Sequence, residues 1–442
     1  MLLCLLFSAP VLADEPIMLR GKVQEMVGGT AGPGVPQVRV SNGRDIVSTD
    51  ADGAYSIALK EGETLFVIKP AGYSAVRHIG SGESRFWQHH LPEGSPALRY
   101  GGMPAQDALR AGGDFVLLPD DRSIADGALD VLLFGDPQPK SLRDVAHYAR
   151  DIVEPILAEA GNAPAAHLGL SLGDIVDDDL SLYPALNAVT TRLGLPWLHA
   201  PGNHDLDFDA ADDAGSLHSF RAVFGADTYA WEESQANFVV LDNVVYQPGP
   251  RAGYIGGLRD DQFAFLQAYL AGADRDRLLV LAAHIPFFDP EPDRETFRRA
   301  DRERLFALLQ GFPKVLLLTA HTHMQMHHYH GATDGWHGSQ PLHEYNVGTT
   351  CGAFWSGAPD ADGIPDSTMA DGTPNGYARL RVERDGRYAL RWHAARDAAL
   401  DVGIALHVPK VLRKGAFPAF GVYANVFMGH AGSVVEYRID DG

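Results

Sequence analysis

The sequence is poor in cysteine. Cys4 and Cys351 are its two cysteines, and Cys4 belongs to an apolar N-terminal stretch. A framework of several disulfides and a cysteine-rich zinc site are therefore excluded. The His-Glu-x-x-His motif of zinc proteases is absent as well. We expect Cys351 to be a buried small residue rather than a nucleophile.

Basic residues are scarce relative to acidic ones. The 442 residues contain 36 Lys and Arg against 57 Asp and Glu, which gives a net charge of −21. Such a surface repels long nucleic acids and anionic membranes, so we expect neither as a partner. A small anionic substrate would need local positive charge, which a bound metal could supply. The sequence leaves the oligomeric state open.

Long apolar runs are also missing, and we expect no transmembrane segment. The run Leu2–Leu12 is too short to cross a bilayer and ends at Ala13, before Asp14. Small residues at this point fit a signal-peptidase site, which predicts a signal peptide over residues 1–13 and an exported, periplasmic or secreted protein. Because no basic segment precedes the run, the alternative is a disordered or buried N-terminal strand.

The pattern of apolar runs and turns changes twice along the sequence, which predicts three domains. Residues 14–118 are short alternating runs separated by turns such as Asp50-Ala51-Asp52-Gly53, the pattern of a small antiparallel sandwich. Residues 119–347 alternate apolar runs with amphipathic segments, as in an α/β domain. Residues 348–442 return to Gly-rich loops and short strands, which predicts a β-rich C-terminal domain.

Five apolar runs in the central domain are typical of strands buried on both faces. They are Asp130–Phe134, Leu168–Leu172, Pro196–His199, Leu278–Ala282 and Val315–Leu318. Three segments have apolar residues at three- and four-residue spacing, which predicts helices covering a sheet. These segments are Ser141–Ala160, Leu258–Ala271 and Arg294–Gln310.

Polar residues follow each of the five predicted strands. The carboxyl ends of strands in one α/β sheet meet at the same crevice, so these side chains converge whatever their separation in sequence. Two divalent cations need a bridging carboxylate together with further oxygen and imidazole ligands, and these residue types supply them. The candidates are Asp136, Gln138, Asp174, Asn203, His204, His284, His321 and His323.

The segments around these residues resemble the five blocks of the calcineurin-like metallophosphoesterases. In chain order they are Gly135-Asp136-Pro137-Gln138, Gly173-Asp174-Ile175-Val176-Asp177, Gly202-Asn203-His204-Asp205, His284 and Ala320-His321-Thr322-His323. Residues 34–55 resemble the transthyretin-like regulatory domains found beside carboxypeptidases. The resemblance implies an α/β fold: a central metallophosphoesterase-type β-sandwich covered by helices, flanked by an N-terminal small β-sandwich and a C-terminal β-rich domain.

The resemblance also implies a role for each residue. Asp174 would bridge two divalent metal ions. The remaining ligands of the first ion would be Asp136, Gln138 and His323, and those of the second Asn203, His284 and His321. His204 would contact the substrate phosphate or protonate the leaving oxygen, and Asp177 would orient His204.

Gln138 stands where the family usually has His. An amide oxygen is a harder and weaker ligand than imidazole, which favours manganese or magnesium at the first site, with zinc and iron as the other candidates. The predicted function is hydrolysis of a small phosphate ester, diester or monoester, by a metal-activated hydroxide. The alternative is a cell-envelope binding protein with a degenerate metal domain, which Gln138 supports best.

Two further groups have roles that the sequence leaves open. The first group is Trp355, Asn375 and Tyr377. They lie in loops that resemble those of related bacterial metallophosphoesterases, and would either bind the leaving-group side of the substrate or seal a domain interface. The second group is His327, His328 and His330. These would either line the pocket or lie exposed on a strand edge.

Overall fold

The computed structural model describes residues 16–161, 164–291, 293–396, 403–408, 421–430, 432–436 and 438. The predicted signal peptide at 1–13 and Cys4 therefore lie outside the described residues. Within these described ranges, no helix combines the length and apolarity needed to cross a bilayer.

The N-terminal part is a sandwich of two sheets, as predicted, but its first and last strands pair parallel, whereas an antiparallel sandwich was expected. Its strands are β1 (Ile17–Val27), β2 (Thr30–Gly34), β3 (Arg39–Ser41), β4 (Ile46–Ser48), β5 (Ala54–Leu59), β6 (Thr64–Val67), β7 (Tyr73–Arg77), β8 (Ser84–Arg85), β9 (Trp87–Leu91), β10 (Gln106–Asp107) and β11 (Phe115–Pro119), with the short helix α1 (Ala108–Ala111). One sheet has the order β2-β1-β11-β7-β8, with β5 also paired to β1, and the other has the order β10-β9-β6-β3-β4. Alternate residues of β5, namely Tyr55, Ile57 and Leu59, face the core between the sheets.

The first sheet of the central part contains three parallel strands and is covered by helices. The strands are β12 (Ala128–Phe134), β13 (Leu168–Leu172) and β14 (Trp197–Ala200). The helices of this part are α2 (Arg122–Asp126), α3 (Leu142–Tyr148), α4 (Glu154–Ala160), α5 (Tyr183–Thr190) and α6 (His218–Phe224). A π-helical segment, Ala149–Val153, joins α3 to α4. The predicted helix over Ser141–Ala160 is therefore present, with a bulge that periodicity alone does not predict.

The second sheet of the central part has the strand order β15-β16-β19-β20-β22-β21. Its strands are β15 (Tyr229–Glu232), β16 (Ala236–Val240), β19 (Leu278–Ala282), β20 (Val315–Thr319), β21 (Met326–His330) and β22 (Leu342–Asn346), and β17 (Val244–Gln247) and β18 (Gly253–Gly256) form a separate hairpin. Helices α7 (Asp260–Gly272) and α8 (Arg299–Leu309) correspond to the other two predicted helices. All five predicted strands are present, divided between two sheets rather than joined in one.

The C-terminal region does not form a separate domain throughout. Strands β23 (Gly376–Glu383) and β24 (Tyr388–Ala394) extend the first central sheet, because β23 pairs antiparallel with β12. The predicted domain 348–442 thus differs from the structure in its first half, where these two strands cover an edge of β12 that would otherwise be free. Strands β25 (Ile404–His407) and β26 (Tyr423–Val426) form a two-stranded sheet of their own.

A buried ion pair links the N-terminal sandwich to the central part. The Lys69 side chain is fully buried, and its Nζ donates to Glu233 Oε1 at 2.5 Å. The same ammonium group lies 4.9 Å from the centre of the Trp231 ring. Burial lowers the pKa of Lys69, while Glu233 opposes this shift by favouring the charged form. This ion pair is therefore a charge-balanced contact between the two parts.

Replacing Lys69 by Met should lower the free energy of unfolding by about 3 kcal/mol, because Glu233 would lose its buried counter-charge. Urea denaturation measures this change. Arg110→Met, at a position whose side chain is 91% exposed, is the matched control and should change the value by less than about 0.5 kcal/mol. An unchanged unfolding free energy for Lys69→Met would contradict the expected role of the pair.

Candidate metal centre

The seven side chains predicted as metal ligands lie together. They follow the carboxyl ends of β12, β13, β14, β19 and β20, so the two central sheets contribute to one site. The buried members are Asp136, Gln138, Asp174, Asn203 and His284. His321 and His323 are partly buried and form the more accessible side. The structure therefore brings these distant residues to the same place at the ends of the strands.

His284 is at the centre of the larger group of ligands. Its Nδ1 donates to the Leu172 carbonyl at 2.8 Å, which leaves the lone pair of Nε2 free in the neutral ring. Nε2 lies 3.3 Å from Asp174 Oδ2, 3.1 Å from Asn203 Oδ1 and 3.2 Å from His321 Nδ1. Asp174, His284 and His321 present ligand atoms that all lie within 4.8 Å of one another.

The second group of ligands adjoins the first through Asp136. Asp136 Oδ1 lies 3.5 Å from His284 Nδ1, and its Oδ2 lies 3.8 Å from His323 Nε2. His323 Nδ1 donates to the Gly352 carbonyl at 3.0 Å, so Nε2 is again the free ligand atom. Gln138 donates its Nε2 to Asp177 Oδ1 at 3.0 Å, which leaves the amide oxygen Oε1 available.

These contacts fit divalent cations. Buried carboxylate, amide and imidazole acceptors face one another, and carbonyl groups already occupy the donor nitrogens of His284 and His323. Acceptors packed this closely repel each other unless a proton or a cation lies between them. The mixed oxygen and nitrogen donor set suits zinc, iron and manganese, and oxygen-rich sites also suit magnesium.

The backbone turns sharply at most of the ligands. Five of the seven have positive φ, a conformation that costs a non-glycine residue on the order of 1–3 kcal/mol: Asp136, Gln138, Asp174, His321 and His323. Gly202 is required before Asn203, because a Cβ there would lie 2.1 Å from Asp174 N. The surrounding fold holds this backbone, as is usual where strain accompanies function.

Burial and neighbouring charges separate the pKa values of the two central carboxylates. Burial raises the pKa of Asp136 to about 6, which the charges of His284 and His323 partly oppose. Burial would also raise the pKa of Asp174, but a His284 ring protonated on both nitrogens outweighs burial through its charge and its hydrogen bond, and lowers it. Asp174 is therefore the more strongly ionised of the pair when His284 carries both protons.

The predicted partner of His204 requires a correction. His204 Nδ1 is 2.7 Å from Asp178 Oδ1, whereas the nearest oxygen of Asp177 is 3.7 Å away and accepts a hydrogen bond from Gln138. The positive φ of Asp178, 58°, turns its carboxylate toward His204. Burial opposes protonation of His204, but the hydrogen bond to Asp178 and the charges of Asp174, Asp178 and Asp177 raise its pKa to about 9.

Two supporting residues were not predicted from the sequence. Asp205 is fully buried and accepts hydrogen bonds from the backbone N–H groups of Ile175 and Gly202, at 3.1 and 2.7 Å. Asn243 Oδ1 accepts from the backbone N–H of His284 at 3.1 Å. Asn243 follows β16, so the rule of polar residues after a buried strand would have found it at this sixth strand. Asp205 belongs to the block Gly202-Asn203-His204-Asp205, but only the fold determines that its side chain points inward.

The C-terminal residues predicted to contact the leaving group lie in the interior instead. Trp355 Nε1 and Asn375 Nδ2 both donate to Asp151 Oδ2, at 3.0 and 2.8 Å. The ring of Tyr377 is buried and stacks on His393 with a centroid distance of 5.1 Å. These contacts favour the alternative that the loops seal an interface, because Asp151 collects both donors in a buried position.

Other side chains line the rim of the centre. The Phe354 ring lies 5.0 Å from the His323 ring, and Lys140 Nζ lies 3.7 Å from the centre of Phe354. Tyr254, which is 37% exposed, lies 6.1 Å from the His321 ring. The rim thus combines aromatic surface with a cation, although neither was apparent from the sequence because both depend on loop positions.

Cys351 is buried, as predicted, and packs beside the centre. Its Sγ lies 4.0 Å from Gln138 Oε1 and 3.9 Å from His323 Nδ1. Burial and the charge of Asp136 raise the pKa of the Cys351 thiol well above its usual range. A thiol held in the neutral form is a poor nucleophile, which agrees with a packing role.

Comparison with protein families identifies the chain. The sequence model described as "Calcineurin-like phosphoesterase" matches residues 129–325. Two companion models, for the N terminal and the C terminal of calcineurin-like phosphoesterase, match residues 21–99 and 344–442, so most of the chain is covered. The chain belongs to the calcineurin-like phosphoesterase family. It is a phosphoester hydrolase of a family that uses a dinuclear metal centre.

Searches against individual proteins add distant similarities. No curated protein matches significantly in sequence. Purple acid phosphatase PPD1 from yellow lupin (Lupinus luteus) is 13% identical, with 86% of this chain and 72% of that chain covered and a TM-score of 0.44. A dimetal phosphatase from Danio rerio is 14% identical, with 60% of this chain and 95% of that chain covered and a TM-score of 0.39. At such values the family assignment depends on the sequence models alone.

Asp178→Asn should lower kcat by roughly ten- to a hundredfold, because His204 would lose the carboxylate that holds its Nδ1 proton. The metal content of the variant, measured by elemental analysis, should stay at the wild-type level. Asp177→Asn is the matched control. Because Asp177 accepts a hydrogen bond from the Gln138 amide, this variant should instead lower the metal content. The assignment is wrong if Asp177→Asn shifts the pH profile of kcat while Asp178→Asn leaves kcat and its pH profile unchanged.

Proposed function

We propose that this phosphoesterase hydrolyses a small phosphate ester, a diester or a monoester, at the candidate metal centre and outside the cytoplasm. The observation that carries the proposal is the convergence of all seven predicted ligands, with His204 beside Asp174. The His204 backbone N–H donates to Asp174 Oδ1 at 2.8 Å, which ties the imidazole to the centre. Family membership supports the reaction class.

Each of the seven side chains is assigned to one of two divalent ions or to both. Asp174 would bridge two divalent ions, of which one would be held also by Asp136, Gln138 and His323, and the other by Asn203, His284 and His321. When bound, two such ions lower the pKa of water, so that a metal-activated hydroxide is available, and stabilise charge on the phosphoryl oxygens. Gln138 contributes an amide oxygen, which favours manganese or magnesium at the first position over zinc or iron.

His204 is the proposed contact to the reacting phosphate. Its Nδ1 is occupied by Asp178, and among the described residues Nε2 makes no hydrogen bond. The side chain is 30% exposed, so Nε2 can reach a substrate. With Nδ1 held, Nε2–H would donate to a phosphoryl oxygen or pass its proton to the leaving oxygen as the ester bond breaks.

The charge of the protein supports a small substrate. A net charge of −21 opposes the approach of long polyanions, and Asp178 adds a carboxylate, 58% exposed in its side chain, to the rim. Lys140 and the aromatic rings of Phe354 and Tyr254 are the proposed contacts for the non-phosphate part of the substrate.

The proposed export of the protein rests on the predicted signal peptide at residues 1–13. The alternative is a binding protein with a degenerate metal domain, which the amide of Gln138 supports best. The presence of all the other proposed ligands and of His204 argues against it.

His204→Ala should lower kcat by about 10²- to 10⁴-fold, because a proton donor would be lost. The variant should keep its metal content, since the His204 side chain is not a proposed ligand. Asp174→Asn is the companion variant and should lose metal together with activity. Loss of both metals from His204→Ala, or full metal content and activity in Asp174→Asn, would contradict the assigned roles.

The test of the proposed function is hydrolysis of p-nitrophenyl phosphate and bis-p-nitrophenyl phosphate by metal-stripped protein. The protein is reconstituted separately with manganese, zinc, iron or magnesium, and we expect turnover to return with metal. The ester hydrolysed faster identifies the monoester or diester preference. Absence of turnover with every metal on these esters and on natural phosphate esters would favour the binding protein.

A further inference from the structure

A second group of metal-binding side chains lies outside the candidate metal centre. His328 and His330 belong to β21, and Asp334 lies in the turn that follows. One ligand atom from each of the three residues lies within 4.8 Å of the other two. Residues two apart on a strand face the same side, so the two imidazoles share one face of this edge strand.

A buried carboxylate orients His330. Glu344 is fully buried, and its Oε2 lies 2.7 Å from His330 Nε2. Because a carboxylate accepts hydrogen bonds, Nε2 carries the proton and Nδ1 presents a lone pair. A histidine that donates its other nitrogen to a carboxylate in this way is the usual arrangement around a metal ligand.

Within the described part of the chain, the lone pair of His330 Nδ1 accepts no hydrogen bond. His330 has no exposed surface, and Nδ1 makes no hydrogen bond to any described residue. His328 Nε2 is likewise buried and makes no hydrogen bond to another residue that the structure describes. Both nitrogens lie 3.8 Å from Asp334 Oδ2, which is too far for a hydrogen bond. A tetrahedral zinc with bonds of about 2.0 Å separates its ligand atoms by about 3.3 Å, so each nitrogen would move about 0.5 Å closer to Asp334 Oδ2 on binding.

Neighbouring groups hold these side chains in place. The Phe288 ring stacks on His328 with a centroid distance of 4.6 Å, and the Phe306 ring packs edge-on against His330 at 4.8 Å. The Gly331 backbone N–H donates to Asp334 Oδ2 at 3.0 Å. The ligand atoms are therefore positioned before any ion binds, which lowers the entropy lost on binding.

We propose that His328, His330 and Asp334 bind one zinc ion, separate from the dinuclear centre. Two imidazoles, one carboxylate and an open fourth position for water form a donor set that zinc prefers. The His328 side chain is 35% exposed, which provides a route of entry. The ion fastens the turn after β21 to the edge of the second central sheet.

Glu344 connects this zinc site to the candidate metal centre. Its other oxygen, Oε1, accepts from the Thr319 hydroxyl at 2.7 Å and from the Phe287 backbone N–H at 3.0 Å. Thr319 precedes His321 by two residues, and Phe287 follows His284 by three. Zinc at the proposed site therefore stabilises the loops that carry two ligands of the centre without sharing a ligand with it.

The test measures zinc binding by the full-length chain with Asp174→Asn and His321→Ala introduced to disable the dinuclear centre. Titration calorimetry with zinc alone should find one site in this background. Adding His328→Ala or Asp334→Asn should weaken that site at least tenfold. Glu344→Gln should weaken it ten- to a hundredfold although all ligand atoms remain. His337→Ala, which removes an exposed imidazole outside the group, is the control and should leave the affinity unchanged.

The same variants in the otherwise wild-type chain separate this proposal from the proposed function. Elemental analysis after dialysis against zinc should find three ions in the wild type and two in His328→Ala. Equal zinc content and affinity with and without His328 and Asp334 would overturn the third site. That result would leave the dinuclear centre intact, because its ligands are unchanged in those variants.

Discussion

The structure of this phosphoesterase depends on balancing the charge of buried carboxylates where two sheets meet. Asp136 and Asp174 have almost no exposed surface, and isolated charges in such a place are costly. His284, itself fully buried, lies between them and contacts both. Divalent cations bound here would balance the negative charge that remains. The burial that makes these carboxylates costly for the fold therefore also favours metal binding.

The positions of the ligands follow from the sheets and the turns that leave them. Parallel strands deliver their carboxyl ends to one side, and positive φ at five ligands bends the chain immediately after a strand. Asp205 and Asn243 then fix the neighbouring loops through backbone hydrogen bonds. The strain in these turns is tolerated because apolar strands such as β13 and β19 are buried along their full length.

Similar chemistry recurs on a smaller scale at the edge strand β21. There a buried carboxylate, Glu344, holds the proton of His330, as the Leu172 and Gly352 carbonyls do for His284 and His323. In each case one imidazole nitrogen donates to an oxygen, so the other presents its lone pair when the ring is neutral. The hydrogen-bond partner of a histidine therefore indicates which of its nitrogens is available to a ligand.

Local sequence identified the elements and the chemistry of this protein. Apolar runs predicted β12, β13, β14, β19 and β20, because strands buried on both faces require continuous apolar residues. Polar residues after each run, and their resemblance to one family, pointed to the seven candidate ligands and His204. These features are local, and their identity does not depend on how distant segments pack.

Tertiary structure decided the contacts that depend on the direction of a side chain or on pairing between distant segments. Asp178 rather than Asp177 holds His204, because the two carboxylates leave the turn in different directions. Trp355 and Asn375 point inward to Asp151, and β23 joins the sheet of β12 across more than two hundred residues of chain. Composition determined which ligands are available, while packing and backbone geometry selected their partners, since neither is encoded within a few neighbouring residues.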